Sequence, residues 1–239
     1  MTYPLLPTAT SADERARGAK CAILPLGSFE QHGDYLPLIT DTVVATVIAQ
    51  ELANTYSLLR LPPVTISCSH EHSAWAGTVS ISATTLYSLI GDIYSSVASS
   101  GLTSLVILNG HGGNYVLGNV VQEGSAQGKR MALFPAPADW AAARQSGRLV
   151  SSGHEDMHAG EIETSILLHA HPELVRDGYE AADWVADDRR HLLTTGMGEY
   201  TRSGVIGRPS LGSAEKGKAV LASLVDSFAA VLEILLGDG

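Results

Sequence analysis

Glu30, His32 and Asp41 are oxygen and nitrogen donors set close together in the chain, the first two inside Gly27-Ser28-Phe29-Glu30-Gln31-His32-Gly33 and the third shortly beyond it. Donors of these types suit a borderline divalent metal such as zinc. In an extended segment, side chains two residues apart point the same way, so Glu30 and His32 can reach one centre together. Asp41 stands at the foot of an apolar stretch, Thr42 to Leu52, where a helix begins. A carboxylate there can cap the helix and still offer an oxygen to a metal. Without a metal, the same residues make a surface turn followed by an N-cap.

Further residues suited to chemistry come later. His111-Gly112-Gly113-Asn114 lies between a buried strand and a helix; glycines there let the backbone approach a ligand closely, and His111 can ligate. Read structurally, it is a tight turn with Asn114 as the helix cap. His158-Ala159-Gly160-Glu161-Ile162-Glu163 offers His158 as acid, base or oxyanion partner and Glu163 as ligand or base. An acidic first helical turn, favoured by the helix dipole, is its structural reading. His70, His72 and Trp75 sit on an irregular segment and can line a pocket, with Trp75 as a wall. Two literal motif matches fail on context. His154-Glu155-Asp156-Met157-His158 fits H-E-x-x-H, but Gly153 and Gly160 bracket it and no apolar helix face surrounds it. Gly212 to Lys218 fits a phosphate-loop pattern, but Ala219 stands where a hydroxyl is required and no buried strand precedes it.

The elements that must position these residues alternate. Strands are expected at Cys21–Leu26, Leu58–Leu61, Leu105–Leu108 and Met131–Pro135. Helices are expected within residues 1–20 and at Thr42–Tyr56, Ala83–Ser99, Tyr115–Ala126, Ala138–Arg144, Glu161–His169 and Ser213–Leu236. Asp177 to Pro209 is loop-rich. This pattern predicts one α/β domain over residues 1–239, a three-layer αβα arrangement around a mostly parallel sheet. Ligands in such folds bind beyond the carboxyl ends of the strands. Glu30 and His32 follow the first strand and His111 the third, so both fall on one rim.

The 239 residues are 45% hydrophobic and 17% charged, enough for a core. A net charge of −10 disfavours nucleic acid and anionic membranes. Cys21 and Cys68 stand in apolar surroundings and suggest no disulfide framework, which fits a reducing cytoplasm. The opening residues carry no basic-plus-apolar signal, and no stretch is expected to reach the ~20 apolar residues of a membrane span.

Pro25-Leu26-Gly27-Ser28-Phe29-Glu30-Gln31-His32-Gly33 with Asp41 resembles the opening motif of the creatininase (creatinine amidohydrolase) family. Glu71-His72 with Trp75 to Ser80, Asn109 to Asn114, His158 to Ser165, Gly204 to Gly207 and the helix start at Ala214 to Gly217 resemble its later motifs. The resemblance implies an α/β fold, homo-oligomers (often hexamers) and two divalent metals, zinc, manganese or iron, which serve to hydrolyse an amide-type C–N bond. It implies that Glu30 and His111 hold one metal, that His32 holds the other and that Asp41 bridges them. His158 matches the catalytic histidine. One departure stands out: creatininases proper have Tyr-Glu where this chain has Gly112-Gly113, so a metal-binding carboxylate is absent. The Gly-Gly form resembles branches acting on other substrates, among them the mycofactocin peptidase and a formamide-cleaving pyrimidine deformylase. A replacement ligand is expected from Glu161 or Glu163. The resemblance favours Glu163, leaving Glu161 to face solvent.

The function expected is therefore hydrolysis of an amide-type bond in a small molecule or short peptide by a water activated between two metals, with His158 and Glu163 catalytic and His72, Trp75 and Asn114 facing the substrate. Creatinine hydrolysis proper, a mycofactocin-type precursor peptidase and a non-catalytic metal- or ligand-binding protein are the alternatives.

Overall fold

The computed structural model describes residues 3–237; Met1, Thr2, Asp238 and Gly239, at the ends of the expected 1–239 domain, lie outside the described residues. Strands β1 (Cys21–Leu26), β2 (Leu58–Arg60), β3 (Ser104–Asn109) and β4 (Arg130–Phe134) form one sheet in the order β2-β1-β3-β4. Every pairing is parallel. The helices are α1 (Ser11–Arg17), α2 (Thr40–Thr55), α3 (Ala83–Ser99), α4 (Leu117–Ala126), α5 (Pro137–Ser146), α6 (Glu161–Ala170), the single turn α7 (Leu192–Thr195) and α8 (Ala214–Leu236).

Alternation along each strand divides the core in two. Cys21, Ile23, Val106, Leu108 and Phe134 face α2, α5, α6 and α8. Ala22, Leu24, Leu26, Leu105, Ile107 and Met131 face α3 and α4. Full burial of each such aliphatic side chain stabilises the fold by about 1.5–3 kcal/mol. The three-layer αβα domain expected from the alternating pattern is thus present, and the sheet is wholly parallel.

Three local expectations differ. α2 begins two residues early, with Ile39 at its N-cap, so Asp41 sits within the first turn and does not cap it. α4 begins at Leu117 and Asn114 is not its cap; the Asn114 amide ties two loops together instead. α8 is long and apolar enough, by length and composition, to cross a membrane, contrary to expectation. Here it packs along α5 and α6, burying Val220, Leu221, Leu224 and Phe228 in the core.

Candidate metal centre

Gly27 and Gly110 follow the ends of β1 and β3. A Cβ on Gly27 would lie 2.3 Å from the Thr42 amide nitrogen, and one on Gly110 would lie 2.5 Å from the Asp41 carbonyl oxygen. Glycine at both places lets the first turn of α2 press against the rim of the sheet. That places Asp41 between the loop carrying His32 and the loop carrying His111.

The buried Asp41 carboxylate faces two ways. Oδ1 lies 3.0 Å from His32 Nε2, and Oδ2 lies 2.9 Å from His111 Nδ1 while accepting from Ser28 Oγ at 2.7 Å. The opposite nitrogens of both rings face backbone carbonyls: His32 Nδ1 the carbonyl of Glu30 at 3.0 Å, His111 Nε2 that of Cys68 at 2.8 Å. Carbonyls only accept, so those nitrogens carry the protons and His32 Nε2 and His111 Nδ1 are left to ligate.

Glu30 is fully buried, and neither carboxylate oxygen has a hydrogen bond. His72 Nε2 and His111 Nδ1 each come within 3.2 Å of Oε1, but off the line a hydrogen bond needs. A carboxylate orphaned in this way is costly unless a cation completes it. Three groups of donors have ligand atoms within 4.8 Å of one another: Glu30, Asp41 and His111; His32, Asp41 and Glu163; and Glu30, His32 and His158. Asp41 is common to the first two. The residues therefore fit a pair of divalent ions sharing one carboxylate.

Charge in the site points the same way. Burial works against a proton on His32, yet the charge of Asp41, with Glu163 and Glu30, holds its pKa up at about 9. Burial likewise opposes charge on His111, and Glu30 and Asp41 outweigh it. Burial raises Asp41, but His32 and His111 draw it well below the carboxylate range. Protons on two rings supply the positive charge that metals would otherwise bring.

The third cluster lies beside these residues. Glu163, early in α6, has Oε1 3.9 Å from His32 Nε2 and accepts from the Ala159 amide through Oε2 at 2.6 Å. Burial pushes its pKa up to about 8. Glu161 behaves differently from expectation: it is fully buried, pairs with Lys216 Nζ at 2.6 Å and accepts from the Val150 and Ser151 amides. Two positions apart on one helix, the two carboxylates face in different directions, Glu163 to the donors and Glu161 to Lys216 on α8.

His158 Nε2 lies 2.6 Å from the Gln31 carbonyl oxygen and must donate to it, which leaves a lone pair on Nδ1, 3.8 Å from Glu30 Oε1. Burial, then the nearby His32 and His72, hold His158 well below its ordinary pKa, so it is neutral. Gln31 fixes His72 as well. Its Oε1 accepts from the Gly33 amide, and its Nε2 donates to the Gly204 carbonyl and meets His72 Nδ1 at 2.9 Å. His72 therefore accepts at Nδ1 and carries its proton on Nε2, facing Glu30; burial lowers its pKa to about 4.

Two cavities flank the loop that holds His111. One, of about 260 Å³, is lined by His111 and Glu163 with Trp140, Arg144 and Met157. The other, of about 390 Å³, is lined by Glu71, Gly113 and Tyr115. Trp75 is half-buried with its ring centre 6.4 Å from that of His72, and lines neither cavity. Asn114 is buried, accepting from the Cys68 amide and donating to Asn109 Oδ1. Neither literal motif match works as its pattern would require: of the two histidines in the first, His158 stands in the site while His154 contacts the Asp187 carbonyl on the surface, and in the second Ser213 caps α8.

Gln31, Asp156 and Glu71 stand inside motifs read from the sequence but were given no role there. Asp156 accepts from the Glu161 and Ile162 amides at the start of α6 and pairs with Arg144 at 2.9 Å, fixing the helix that carries Glu163. Gln31 lies between two expected ligands, and that adjacency was the one available signal.

A family described as creatinine amidohydrolase (creatininase) matches residues 7–232. The mycofactocin precursor peptide peptidase of Mycobacterium ulcerans is 35% identical over 217 residues, covering 85% of this chain and 81% of that protein. Its counterpart in Mycobacterium tuberculosis is 33% identical over 222 residues, with the same coverage of 85% and 81%. Among solved structures, a manganese creatininase superposes with a TM-score of 0.80 at 22% identity, over 97% of this chain and 98% of that one.

Proposed function

The chain belongs to the creatininase family, and on that premise we propose that it is a metal-dependent amidohydrolase acting on an amide-type C–N bond of a short peptide. The observation that carries this reading is Asp41, one oxygen toward His32 and the other toward His111, each ring held by a backbone carbonyl. The peptide substrate is supported by the mycofactocin precursor peptide peptidases among the relatives and by a cavity on either side of the His111 loop.

In this proposal Glu30, Asp41 and His111 hold one metal and His32, Asp41 and Glu163 the other. Zinc is our first choice; manganese and iron also suit a set rich in carboxylates and imidazoles. Bound there, the metals would supply an activated water and polarise the scissile carbonyl. His158 enters neutral, with Nδ1 free to take a proton and later return it to the leaving nitrogen. Gln31 keeps His158 and His72 in register through one backbone carbonyl and one side-chain amide. Burial of Glu30, His32, Asp41, His111 and His158 lowers the local dielectric, so charges there act more strongly than in water.

We also propose a homo-oligomer, hexameric by family resemblance, acting in a reducing cytoplasm. Exposed Leu193 (76%) and Ile234 (83%) and the free, buried Cys21 and Cys68 support these two points. The test of function is a chelator-stripped protein reloaded with zinc, manganese or iron and assayed on short peptides, N-formyl compounds and creatinine. Peptide turnover that returns with metal is expected. A metal-loaded protein inert toward all three classes would leave a binding protein in place of an enzyme.

A further inference from the structure

Glu71 is the one acidic side chain among the residues that line the larger cavity, and the basic groups near its carboxylate are the imidazoles of His111 and His70. A Cβ on Gly113 would lie 2.0 Å from Glu71 Oε1, so the carboxylate rests directly on the Gly113 backbone. Its side chain is only 11% exposed. His111 Nε2 comes within 3.8 Å, but that nitrogen already donates to the Cys68 carbonyl. No lysine or arginine among the described residues pairs with it.

Glu71 is also not placed as a metal ligand. It lies on the Nε2 edge of His111, whereas Glu30 and Asp41 lie on the Nδ1 edge. The ring separates it from the metal donors. On its other side the carboxylate faces the cavity, where Tyr115 stands 61% exposed, with Val116 and Leu193 beyond it. Glu71, Gly113 and Tyr115 line this one cavity together.

We propose that Glu71 and Tyr115 form a cation subsite beside the metal centre, which takes an ammonium or guanidinium group at the end of a hydrocarbon arm. The carboxylate supplies the charge partner and the Tyr115 ring a face for the cation. Val116 and Leu193 cover the arm. A lysine or arginine side chain, or a peptide amino terminus, provides this chemistry; creatinine and simple formamides provide no such arm. As a statement about substrate the inference rests on the peptide-hydrolase reading, but the binding of a cation does not.

The first test uses the full metal-loaded chain and two probes of equal size, n-butylammonium and 1-butanol, titrated by ligand-detected NMR at constant ionic strength. Butylammonium is expected to bind the wild type, to bind about tenfold more weakly to Glu71→Gln, and to lose affinity again in Tyr115→Leu, while butanol distinguishes none of the three proteins. The second test compares peptides carrying lysine or norleucine at one position. The lysine-to-norleucine ratio of kcat/KM is expected to exceed about ten in the wild type and to fall toward one in Glu71→Gln. Equal binding of the two probes, or butylammonium affinity untouched by Glu71→Gln, would overturn the subsite. So would a Glu71→Gln protein that loses metal and slows on both peptides alike, because Glu71 would then be positioning His111. If no peptide is turned over by the wild type, the peptide-hydrolase reading falls and the butylammonium titration still decides the subsite.

Discussion

Glu163 Oε1 stands 3.9 Å from His32 Nε2, across a gap that a metal ion can close. Two residues earlier, Glu161 points the other way and is neutralised by Lys216 on α8. The same helical turn thus carries one carboxylate for the donors and one for the fold.

Their substitutions should separate cleanly. Glu163→Gln is expected to reduce bound metal from two ions per chain to about one and to abolish turnover, with little change in melting temperature. Glu161→Gln leaves Lys216 without its partner and is expected to cost on the order of 1–3 kcal/mol of stability, with metal content per folded chain retained. Elemental analysis alongside thermal melts checks both; metal loss in Glu161→Gln with none in Glu163→Gln would reverse the assignment.

The metal-free protein should lose stability as pH rises. His32 is held at about 9 against an ordinary 6.5, so the stabilisation from its protonated pair with Asp41 is complete below pH 6.5 and fades as pH passes 9. Glu163 is held at about 8 against 4.5, so its ionisation increasingly opposes folding between those values. Both contributions have the same sign. Melting temperatures of chelator-treated protein are expected to fall from pH 6 to pH 9, and metal affinity to rise over the same range as protons leave the ligands. A chelated protein that melts highest near pH 9 would contradict the charge balance described.

Glu71 and Gly113 should be strongly coupled. Gly113→Ala places a methyl in the position of the Glu71 carboxylate and is expected to destabilise the chain by about 1–3 kcal/mol. A Glu71→Ala background should relieve only the part of that cost owed to the carboxylate, because the same methyl would also press on His111 Nε2, and a coupling energy above about 0.5 kcal/mol is expected in a double-mutant cycle. Additive effects would show that Glu71 swings clear at no cost.

Creatinine should be a poor substrate. The carboxylate that creatininases proper place after the second-motif histidine is Gly113 here, and Glu71 fills the vacated space without reaching the Nδ1 edge of His111. The expected kcat/KM for creatinine is at least about a hundredfold below that of a cleaved peptide; parity would refute the specificity argument.

Much of this architecture was legible beforehand. β1 and α3 occur at the expected bounds because burial and capping coincide there: β1 is apolar throughout, and Ser82 caps α3. The meeting of Glu30, His32, Asp41 and His111 followed from two strands ending on one rim. Glu161 escaped the reading because its partner, Lys216, lies 55 residues away, and local helical spacing carries no trace of that pair. Glu71 escaped because its significance depends on what Gly113 lacks, a steric relation between residues on different loops. Asn114 was mistaken for a cap because its side chain finds Cys68 and Asn109 instead of the next helical amides.

The close packing of Glu71 on Gly113 also bears on how such enzymes diverge. A carboxylate on residue 113 and one on residue 71 compete for the same volume, so neither can be gained while the other stays in place. An ancestral sequence moving between the two arrangements must pass through a form with a small residue at both positions, or make both exchanges together. That intermediate would have neither carboxylate, and with it neither specificity. In this chain the residues at 71 and 113 are therefore a single steric unit, and a substitution at either has to be read together with the other.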